Sequence, residues 1–196
     1  LNPNEKFDQV IDGLREAGFE KIMIVDDGSD AEHQVHFTRA EAFPECVVIH
    51  HDGNKGKGRA LKDGLIEILK QFPEAEGVVT IDGDGQHLTK DIVACGNRML
   101  EERDKVVLGC RNFDLPGVPA RSVAGNKTTS RLFRVFGIEL GDTQTGLRAF
   151  RREDLPFMME VEGERFEYEM NVLMEFSKNR IPIREVPIET VYMDNN

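Results

Sequence analysis

The stretch that most constrains the fold of this chain is residues 78–87, VVTIDGDGQH, where a short apolar run ends abruptly on two acidic residues. Its four β-branched residues before a carboxylate predict a buried strand whose carboxyl end faces a site, because open α/β sheets bind ligands at that edge. Asp82 and Asp84 would lie on the same side of extended backbone. This arrangement suits a hard divalent cation, which takes a few carboxylates and completes its shell with substrate oxygens.

Two other interpretations of Asp82 and Asp84 stay open at this point. Asp and Gly are common turn residues, so both carboxylates could serve only to cap a turn. A D-x-D at a strand end also occurs in phosphatases of the haloacid-dehalogenase type, in which the first Asp is a nucleophile. Those enzymes carry the motif at their first strand, with Thr or Val where this chain has Gln86. Both differences count against the phosphatase.

A second predicted strand, residues 21–25, also ends in acid, at Asp26 and Asp27. Two strands that each finish in carboxylates at one sheet edge are harder to attribute to turns than a single strand. Acidic residues at strand ends hydrogen-bond the ribose of the nucleotide in dinucleotide-binding folds. We therefore expect Asp26 and Asp27 to contact the base or ribose of a nucleotide.

The chain begins with a helix signal rather than a strand. Asn2 is the expected cap, with Pro3 in the first helical position and Glu5 three residues after the cap, and Gly18 ends the helix. Parallel α/β domains usually begin with a strand, so we expect a first strand ahead of Leu1. Further on, Thr89 is expected to cap another helix, and the prolines within residues 181–191 predict an edge strand.

A glycine-rich turn, residues 53–60 (GNKGKGRA), precedes a predicted helix that stops at Pro73. Such a turn at a helix N-terminus, with lysines in it, is suited to holding anions. It is not a Walker A loop, because Arg59 follows Gly58 where that motif needs Lys and then Ser or Thr. A flexible basic turn without a ligand remains an equal alternative.

The charge distribution excludes one class of function and favours another. A formal net charge of -11 argues against a protein that wraps nucleic acid, since phosphate binding needs a basic face. Residues 111–134 reverse this balance, with one acid, Asp114, against five bases: Arg111, Arg121, Lys127, Arg131 and Arg134. Arginine binds phosphate through paired hydrogen bonds, so this segment indicates an anionic partner. A solvated helix face is the alternative.

Chain length indicates the number of domains, and cysteine content indicates the redox compartment. A chain of 196 residues is most naturally one domain with a real core. Its cysteines, Cys46, Cys95 and Cys110, form no C-x-x-C, so neither a disulfide framework nor a thiolate zinc site is indicated, and a reducing cytosol fits. The apolar runs are of strand length and no signal peptide is present, so we expect membrane contact to be peripheral at most.

Six motifs in order along the chain resemble the family 2 glycosyltransferases, and among these the polyprenyl-phosphate sugar synthases related to dolichyl-phosphate mannose and glucose synthases. They are N-P-x-E from Asn2, D-D-G-S from Asp26, N-K-G-K-G-x-A from Asn54, D-G-D-G-Q-H from Asp82, G-x-R from Gly109 and D-T-Q-T-G-L-R from Asp142. The resemblance covers nearly the whole chain. It implies a GT-A fold, an α/β Rossmann-like architecture with a mostly parallel central sheet flanked by helices. It also implies a nucleotide-sugar donor, Mg²⁺ or Mn²⁺, and inversion at the anomeric carbon.

The resemblance further implies roles for single residues. These are donor binding for Glu5, Asp26, Asp27, Lys57 and Asp82, metal binding for Asp82, Asp84 and Gln86, contact with the acceptor phosphate for Arg111 and Arg121, and the catalytic base for Asp142. A phosphate acceptor has its second pKa near about 6 and needs little deprotonation. With that acceptor Asp142 would orient the site, whereas a sugar hydroxyl would need a general base.

We therefore expect an inverting hexosyltransferase that transfers glucose or a related sugar to a polyprenyl phosphate, in the cytoplasm at the inner face of a membrane. Gln86 and His87 after the D-x-D favour a UDP-sugar over GDP-mannose, by resemblance alone. Residues 1–196 would form one catalytic domain without the first strand and C-terminal extension of the family. The alternatives are a transferase acting on a hydroxyl of a polysaccharide or lipid-linked glycan, and a nucleotide-sugar binding domain without turnover.

Overall fold

A computed structural model describes residues 1–113, 120–135 and 139–189 of the chain. In these residues helices and strands alternate, as expected of an α/β protein. The helices are α1 (Glu5–Glu16), α2 (Gln34–Glu41), α3 (Lys57–Gln71), α4 (Thr89–Glu101), α5 (Ala120–Val135), α6 (Leu155–Glu160) and α7 (Glu167–Lys178). The strands are β1 (Ile22–Asp26), β2 (Cys46–His50), β3 (Gly77–Thr80), β4 (Val106–Arg111), β5 (Arg148–Arg151) and β6 (Ile183–Ile188).

The chain divides into two compact units, which are described separately. Unit 1 comprises residues 1–75, 83–85 and 152–171, and unit 2 comprises residues 76–82, 86–151 and 172–196. The single catalytic domain over residues 1–196 stays a prediction. No helix in the described parts of either unit is long and apolar enough to cross a bilayer.

Unit 1 is built on the parallel pair β1 and β2, with Ile22 opposite Cys46 and Asp26 opposite His50. The apolar residues of α1 recur at helical spacing, so that Phe7, Ile11 and Leu14 share one buried face. Phe7 packs on Phe37 of α2, with ring centroids 5.6 Å apart. Among the described residues β1 pairs only with β2. The strand expected ahead of Leu1 stays a prediction.

Two helix starts differ from the sequence prediction. The cap of α1 is Asn4, whose side chain accepts a hydrogen bond from the Lys6 amide, and not Asn2. Asn2 has a positive φ of 50° and instead exchanges hydrogen bonds with Asp30, at 2.8 and 2.9 Å. The second cap, Thr89, is already the first residue of α4 and follows Leu88. In both cases the prediction was wrong, by two residues and by one.

Unit 2 contains a sheet of four strands in the order β3-β5-β4-β6. β4 and β6 are parallel, whereas β5 runs antiparallel to both of its neighbours, β3 and β4. Val106, Val107 and Leu108 of β4 are fully buried and form the centre of this unit. The described part of β6 pairs only with β4, which confirms the predicted edge, and Pro187 lies within it.

Candidate functional site

Asp26, the last residue of β1, is a buried carboxylate held by protein donors. Its Oδ1 accepts a 2.8 Å hydrogen bond from the Ser29 amide, and its Oδ2 accepts one of 2.9 Å from Gln34 Nε2. His50 Nδ1 lies 3.1 Å from the same Oδ2. Burial raises the pKa of Asp26, but these hydrogen bonds outweigh it, and the pKa falls from 3.8 to about 2. The side chain is therefore ionised at neutral pH.

Asp27 joins the end of β1 to the glycine-rich turn. Its Oδ1 accepts a hydrogen bond of 2.8 Å from the Lys55 amide, and its Oδ2 accepts one of 2.9 Å from the Gly56 amide. The buried His51 places Nδ1 2.7 Å from Oδ1. Burial raises the pKa of Asp27, and the hydrogen bonds from His51, Lys55 and Gly56 lower it further than burial raises it. Asp27 thus fixes the position of this turn as an anion.

Three amides of the glycine-rich turn bind acceptors elsewhere in the protein. Two of them bond Asp27, and the Arg59 amide at the start of α3 donates to the Glu164 carbonyl at 2.9 Å. A Cβ on Gly58 would lie 2.6 Å from Tyr168 Cβ, so glycine is needed here for close packing. The sequence predicted that this turn holds an anion. These three amides do not serve that purpose, because they already bond oxygens of the protein. An anion at this turn would depend on side chains such as Lys57.

Lys57, a predicted donor contact, is oriented by an acid that the sequence did not single out. Its Nζ lies 2.6 Å from Glu169 Oε2 in the first turn of α7, and both side chains are largely buried. Because Lys57 is largely buried and held in this ion pair, its ammonium group has one orientation. Glu169 is therefore part of the candidate donor site in unit 1.

Asp84 and Glu5 are brought to the same end of α1. Residues 83–85 pack against its first turn, because a Cβ on Gly85 would lie 3.1 Å from Lys6 Cβ, and one on Gly83 would lie 3.2 Å from the Phe7 ring. Asp84 and Glu5 are both exposed there. Two residues predicted to serve the donor and its metal are thus neighbours in unit 1.

Asp82 lies in unit 2, beyond the end of β3, and packs against Gly146 with its side chain 35 % exposed. A Cβ on Gly146 would lie 2.8 Å from Asp82 Cγ, so a larger residue at 146 would displace this carboxylate. On its other side the His87 side chain, 8 % exposed, places Nε2 3.8 Å from Asp82 Oδ2. This buried Nε2 has no hydrogen-bond partner among the described residues.

These residues include possible ligands for a divalent cation. No group of three or more His, Cys, Asp or Glu side chains in the described ranges is arranged to hold a metal ion. Mg²⁺ does not require one, because it usually binds one or two carboxylates and substrate phosphates. Asp82 lies beside the buried His87 Nε2, which lacks a hydrogen-bond partner among the described residues. This arrangement fits a metal site whose remaining ligands come from the substrate. Gln86 is in unit 2 with Asp82, and Asp84 is in unit 1, so their joint use as metal ligands stays a prediction.

The predicted acceptor arginine and the predicted base form one ion pair in unit 2. Arg111 Nε donates to Asp142 Oδ2 at 2.6 Å, and Nη2 donates to Oδ1 at 3.0 Å. The Asp142 side chain is 0 % exposed and that of Arg111 is 16 % exposed. The Arg111 and Gln144 amides also donate to the carboxylate, at 3.3 and 3.0 Å. Asp142 therefore orients Arg111 through a paired hydrogen bond.

The other residue predicted to contact the acceptor, Arg121, falls in α5, and its side chain lies outside the described residues. The same helix contributes a residue that sequence reasoning missed. Asn126 of α5 is buried and bonds the loop that carries Asp142, as Glu185 of β6 also does. The motif around Asp142 is the one sequence signal that indicates a fixed loop here. It does not show that Asn126 and Glu185 hold that loop.

Comparisons with known sequences agree on one family. The model of the family described as "Glycosyl transferase family 2" matches residues 4–156. A UDP-N-acetylglucosamine–dolichyl-phosphate N-acetylglucosaminyltransferase of Methanococcus voltae is 29 % identical over 211 residues, covering 98 % of this chain and 83 % of that protein. Glycosyltransferase AglJ of Haloferax volcanii is 30 % identical over 190 residues, covering 95 % of this chain and 59 % of that protein.

Solved structures show the same fold. Glucosyl-3-phosphoglycerate synthase from Mycobacterium tuberculosis, in complex with Mn²⁺, UDP and glucosyl-3-phosphoglycerate, superimposes with a TM-score of 0.72 at 16 % identity. The match covers 100 % of this chain and 70 % of that one. The predicted GT-A fold is confirmed, with the antiparallel β5 as a feature that the sequence did not indicate.

Proposed function

Because the chain belongs to glycosyl transferase family 2, we propose that it transfers a hexose from a UDP-sugar to a polyprenyl phosphate, with inversion and with a divalent cation. The relative from Methanococcus voltae is named for a UDP-sugar and dolichyl phosphate, and the synthase from Mycobacterium tuberculosis binds UDP with Mn²⁺. Glucose, expected from the sequence, and N-acetylglucosamine, the sugar in the relative's name, are the candidate hexoses. Because the proposed acceptor is a lipid, the proposed reaction takes place at a membrane, and its cytoplasmic face stays the expectation from the sequence.

The single observation that carries the proposal is the ion pair of Arg111 and Asp142. It fixes a guanidinium, by two hydrogen bonds to a fully buried carboxylate, in a chain of net charge -11. A preorganised arginine costs less entropy when it binds an anion, and its planar donors suit phosphate. The acceptor in this proposal is such an anion.

The donor side rests on charges that neutralise a diphosphate leaving group. A cation held by Asp82, Asp84 and Gln86 would supply Lewis-acid stabilisation of that charge when bound. Lys57, held by Glu169, adds a fixed positive charge. Asp26 and Asp27 are ionised acceptors at the end of β1, and Glu5 is exposed near Asp84; these remain the proposed contacts to the nucleotide.

Asp142 acts in this proposal by orienting Arg111 and not as a general base. A base must reach the proton that it removes, and a fully buried carboxylate with four donors has no such reach without rearrangement. A phosphate acceptor is largely ionised at neutral pH because its second pKa is near about 6, so it needs no strong base. A hydroxyl acceptor would need one, which favours the phosphate.

Transfer of radiolabelled sugar from UDP-glucose and UDP-N-acetylglucosamine to a polyprenyl phosphate tests the acceptor. We expect Arg111→Ala to lose transfer while donor hydrolysis persists, and the exposed Arg98→Ala on α4 to behave as the parent protein. Equal loss of transfer and hydrolysis in Arg111→Ala would overturn the acceptor assignment. Efficient transfer to a free sugar hydroxyl and none to the lipid phosphate would overturn the proposed acceptor class.

A further inference from the structure

The loop at residues 141–144, which carries Asp142, is held by side chains at every backbone amide. The amides of Gly141 and Asp142 donate to Glu185 Oε1, at 2.7 and 3.3 Å. The Thr143 amide donates to Asn126 Oδ1 at 3.2 Å, and the Gln144 amide donates to Asp142 Oδ1 at 3.0 Å. The Thr143 amide is buried and needs a partner, and here the side chains of Glu185 and Asn126 replace the usual backbone acceptors for the first three amides of the loop.

Glu185 holds this loop from β6, the edge strand. One carboxylate oxygen receives two successive amides, the first of them at 2.7 Å. Hydrogen bonds to an ionised acceptor are stronger than neutral ones, so Glu185 sets where residues 141 and 142 lie. In the register of β6 on β4, Glu185 lies opposite Leu108, the third of six residue pairs in a ladder that ends at Arg111.

Asn126 holds the same loop from α5. Its Nδ2 donates to the Gly141 carbonyl at 2.5 Å, while its Oδ1 accepts from the Thr143 amide. The two bonds bracket Asp142 on either side. Thr129, one turn further along α5, accepts a hydrogen bond of 2.8 Å from the Thr143 hydroxyl. The loop therefore has one position relative to α5 as well as to β6.

Two acids, Glu185 and Asp142, lie at this loop, and Asp142 is paired with Arg111. Burial raises the pKa of Cys110 to about 12, with the charges of Glu185 and Asp142 adding to the effect. A Cβ on Gly141 would lie 2.9 Å from Cys110 Sγ, so the thiol packs directly under the loop. Arg111 is the described cation that bonds Asp142, and its Cζ lies 5.1 Å from the Phe113 ring centroid.

We propose that Glu185 and Asn126 are positioning residues for the acceptor phosphate, which act through Asp142 to aim the Arg111 guanidinium. This inference rests on the proposed function for the identity of the acceptor. The chain of contacts runs from Glu185 and Asn126 to the loop backbone, from Asp142 to Arg111, and from Arg111 to the anion. Neither positioning residue touches substrate.

Steady-state kinetics of Glu185→Ala, Glu185→Gln and Asn126→Ala test the inference. The part-buried Asp142 amide loses its acceptor in Glu185→Ala, so we expect KM for polyprenyl phosphate to rise about tenfold and the donor KM to change less than about threefold. Glu185→Gln keeps an acceptor oxygen and should recover most of the loss. The control is Glu189→Ala, an exposed acid just beyond β6 that pairs with Lys90 and not with the loop.

Two further measurements separate positioning from a general loss of structure and from failure of the proposed function. In an Arg111→Ala background, Glu185→Ala should add no further loss of equilibrium binding of polyprenyl phosphate, measured without turnover, because both act on one contact. Hydrogen exchange of the Gly141 and Asp142 amides should accelerate in Glu185→Ala and not in Glu189→Ala, whatever the acceptor is. Unchanged exchange, or equal rises in donor and acceptor KM, would overturn the inference. A parent protein inactive on polyprenyl phosphate, with faster exchange in Glu185→Ala, would refute the acceptor but keep the loop assignment.

Discussion

Individual carboxylates in this protein are held by hydrogen-bond donors from both nearby and distant residues. Asp26 receives the Ser29 amide and Gln34 and lies beside His50, and Asp142 receives Arg111. Both are buried, and the hydrogen bonds to Asp26 hold its pKa below the ordinary value despite that burial. The consequence is that the pH dependence of stability and of activity can be traced to single side chains.

Acid stability should depend on Asp26. Its pKa falls from 3.8 to about 2, so its contribution is present above pH 3.8 and is lost as the pH falls through 2. That shift corresponds to about 2 kcal/mol. In urea unfolding we expect the free energy of the parent protein to fall by about 2 kcal/mol more than that of Asp26→Asn between pH 5 and pH 2. Asp104→Asn, at an exposed position, should follow the parent protein; parallel curves for parent and Asp26→Asn would contradict the prediction.

Asp142→Asn distinguishes an orienting acid from a base. Breaking the buried pair leaves Arg111 without its counter-charge, so we expect a loss of about 3 kcal/mol in the free energy of unfolding. We also expect the acidic limb of the pH–rate profile, near pH 6, to persist in the variant, because it belongs to the acceptor phosphate. Denaturant unfolding and pH-dependent kinetics measure the two effects. Disappearance of that limb would identify Asp142 as the base after all.

Among the elements, α3 is the one whose start depends most on its surroundings. Its first residues pack against the segment at residues 164–168, and the Arg59 amide bonds the Glu164 carbonyl. Gly28 has a positive φ of 77°, and a Cβ there would lie 2.6 Å from the Asn54 amide nitrogen. Two turns of unit 1 thus touch backbone to backbone, which is why glycine recurs in both.

Alanine at two helical glycines should therefore have opposite effects. In Gly58→Ala the new Cβ would lie 2.6 Å from Tyr168 Cβ and 2.8 Å from Glu164 C, so we expect a loss of at least about 2 kcal/mol. In Gly96→Ala of α4 the nearest atom, Val79 Cγ2, is 3.4 Å away, and the higher helix propensity of alanine should stabilise by about 0.5–1 kcal/mol. Thermal and urea unfolding give both values. Equal effects at the two positions would contradict the packing argument.

On the scale of the whole molecule, donor and metal binding should appear as a gain in stability. A UDP-sugar at a hundred times its dissociation constant should stabilise by about 2.7 kcal/mol, which corresponds to a rise in Tm of about 5–10 °C. We expect the shift with UDP-sugar and Mn²⁺ or Mg²⁺ to disappear in EDTA and in Asp84→Ala, and to exceed that with GDP-mannose. A thermal-shift screen measures the two nucleotide sugars, the EDTA control and the Asp84→Ala variant together. A shift unaffected by EDTA and by Asp84→Ala would remove the basis of the metal site.

The sequence by itself determined the features that local physics encodes. Helical spacing fixed the buried face of α1, Pro187 fixed β6 as an edge, and the apolar runs placed Asp26 and Asp82 at or just beyond strand ends. Each depends on the period of a helix or strand or on the backbone of proline, and those properties belong to residues close together in the chain.

Only the tertiary structure decided which groups these residues bind. His51 reaches Asp27 over 24 positions, Asn126 reaches Thr143 over 17, and Glu185 reaches Gly141 over 44. A side-chain hydrogen bond between distant residues leaves no periodic signal, because it depends on how separate strands and helices pack. The sequence therefore indicated where the charges of the candidate site lie, and the fold determined that Asp142 is bound to Arg111 and that three amides of the glycine-rich turn are already bonded.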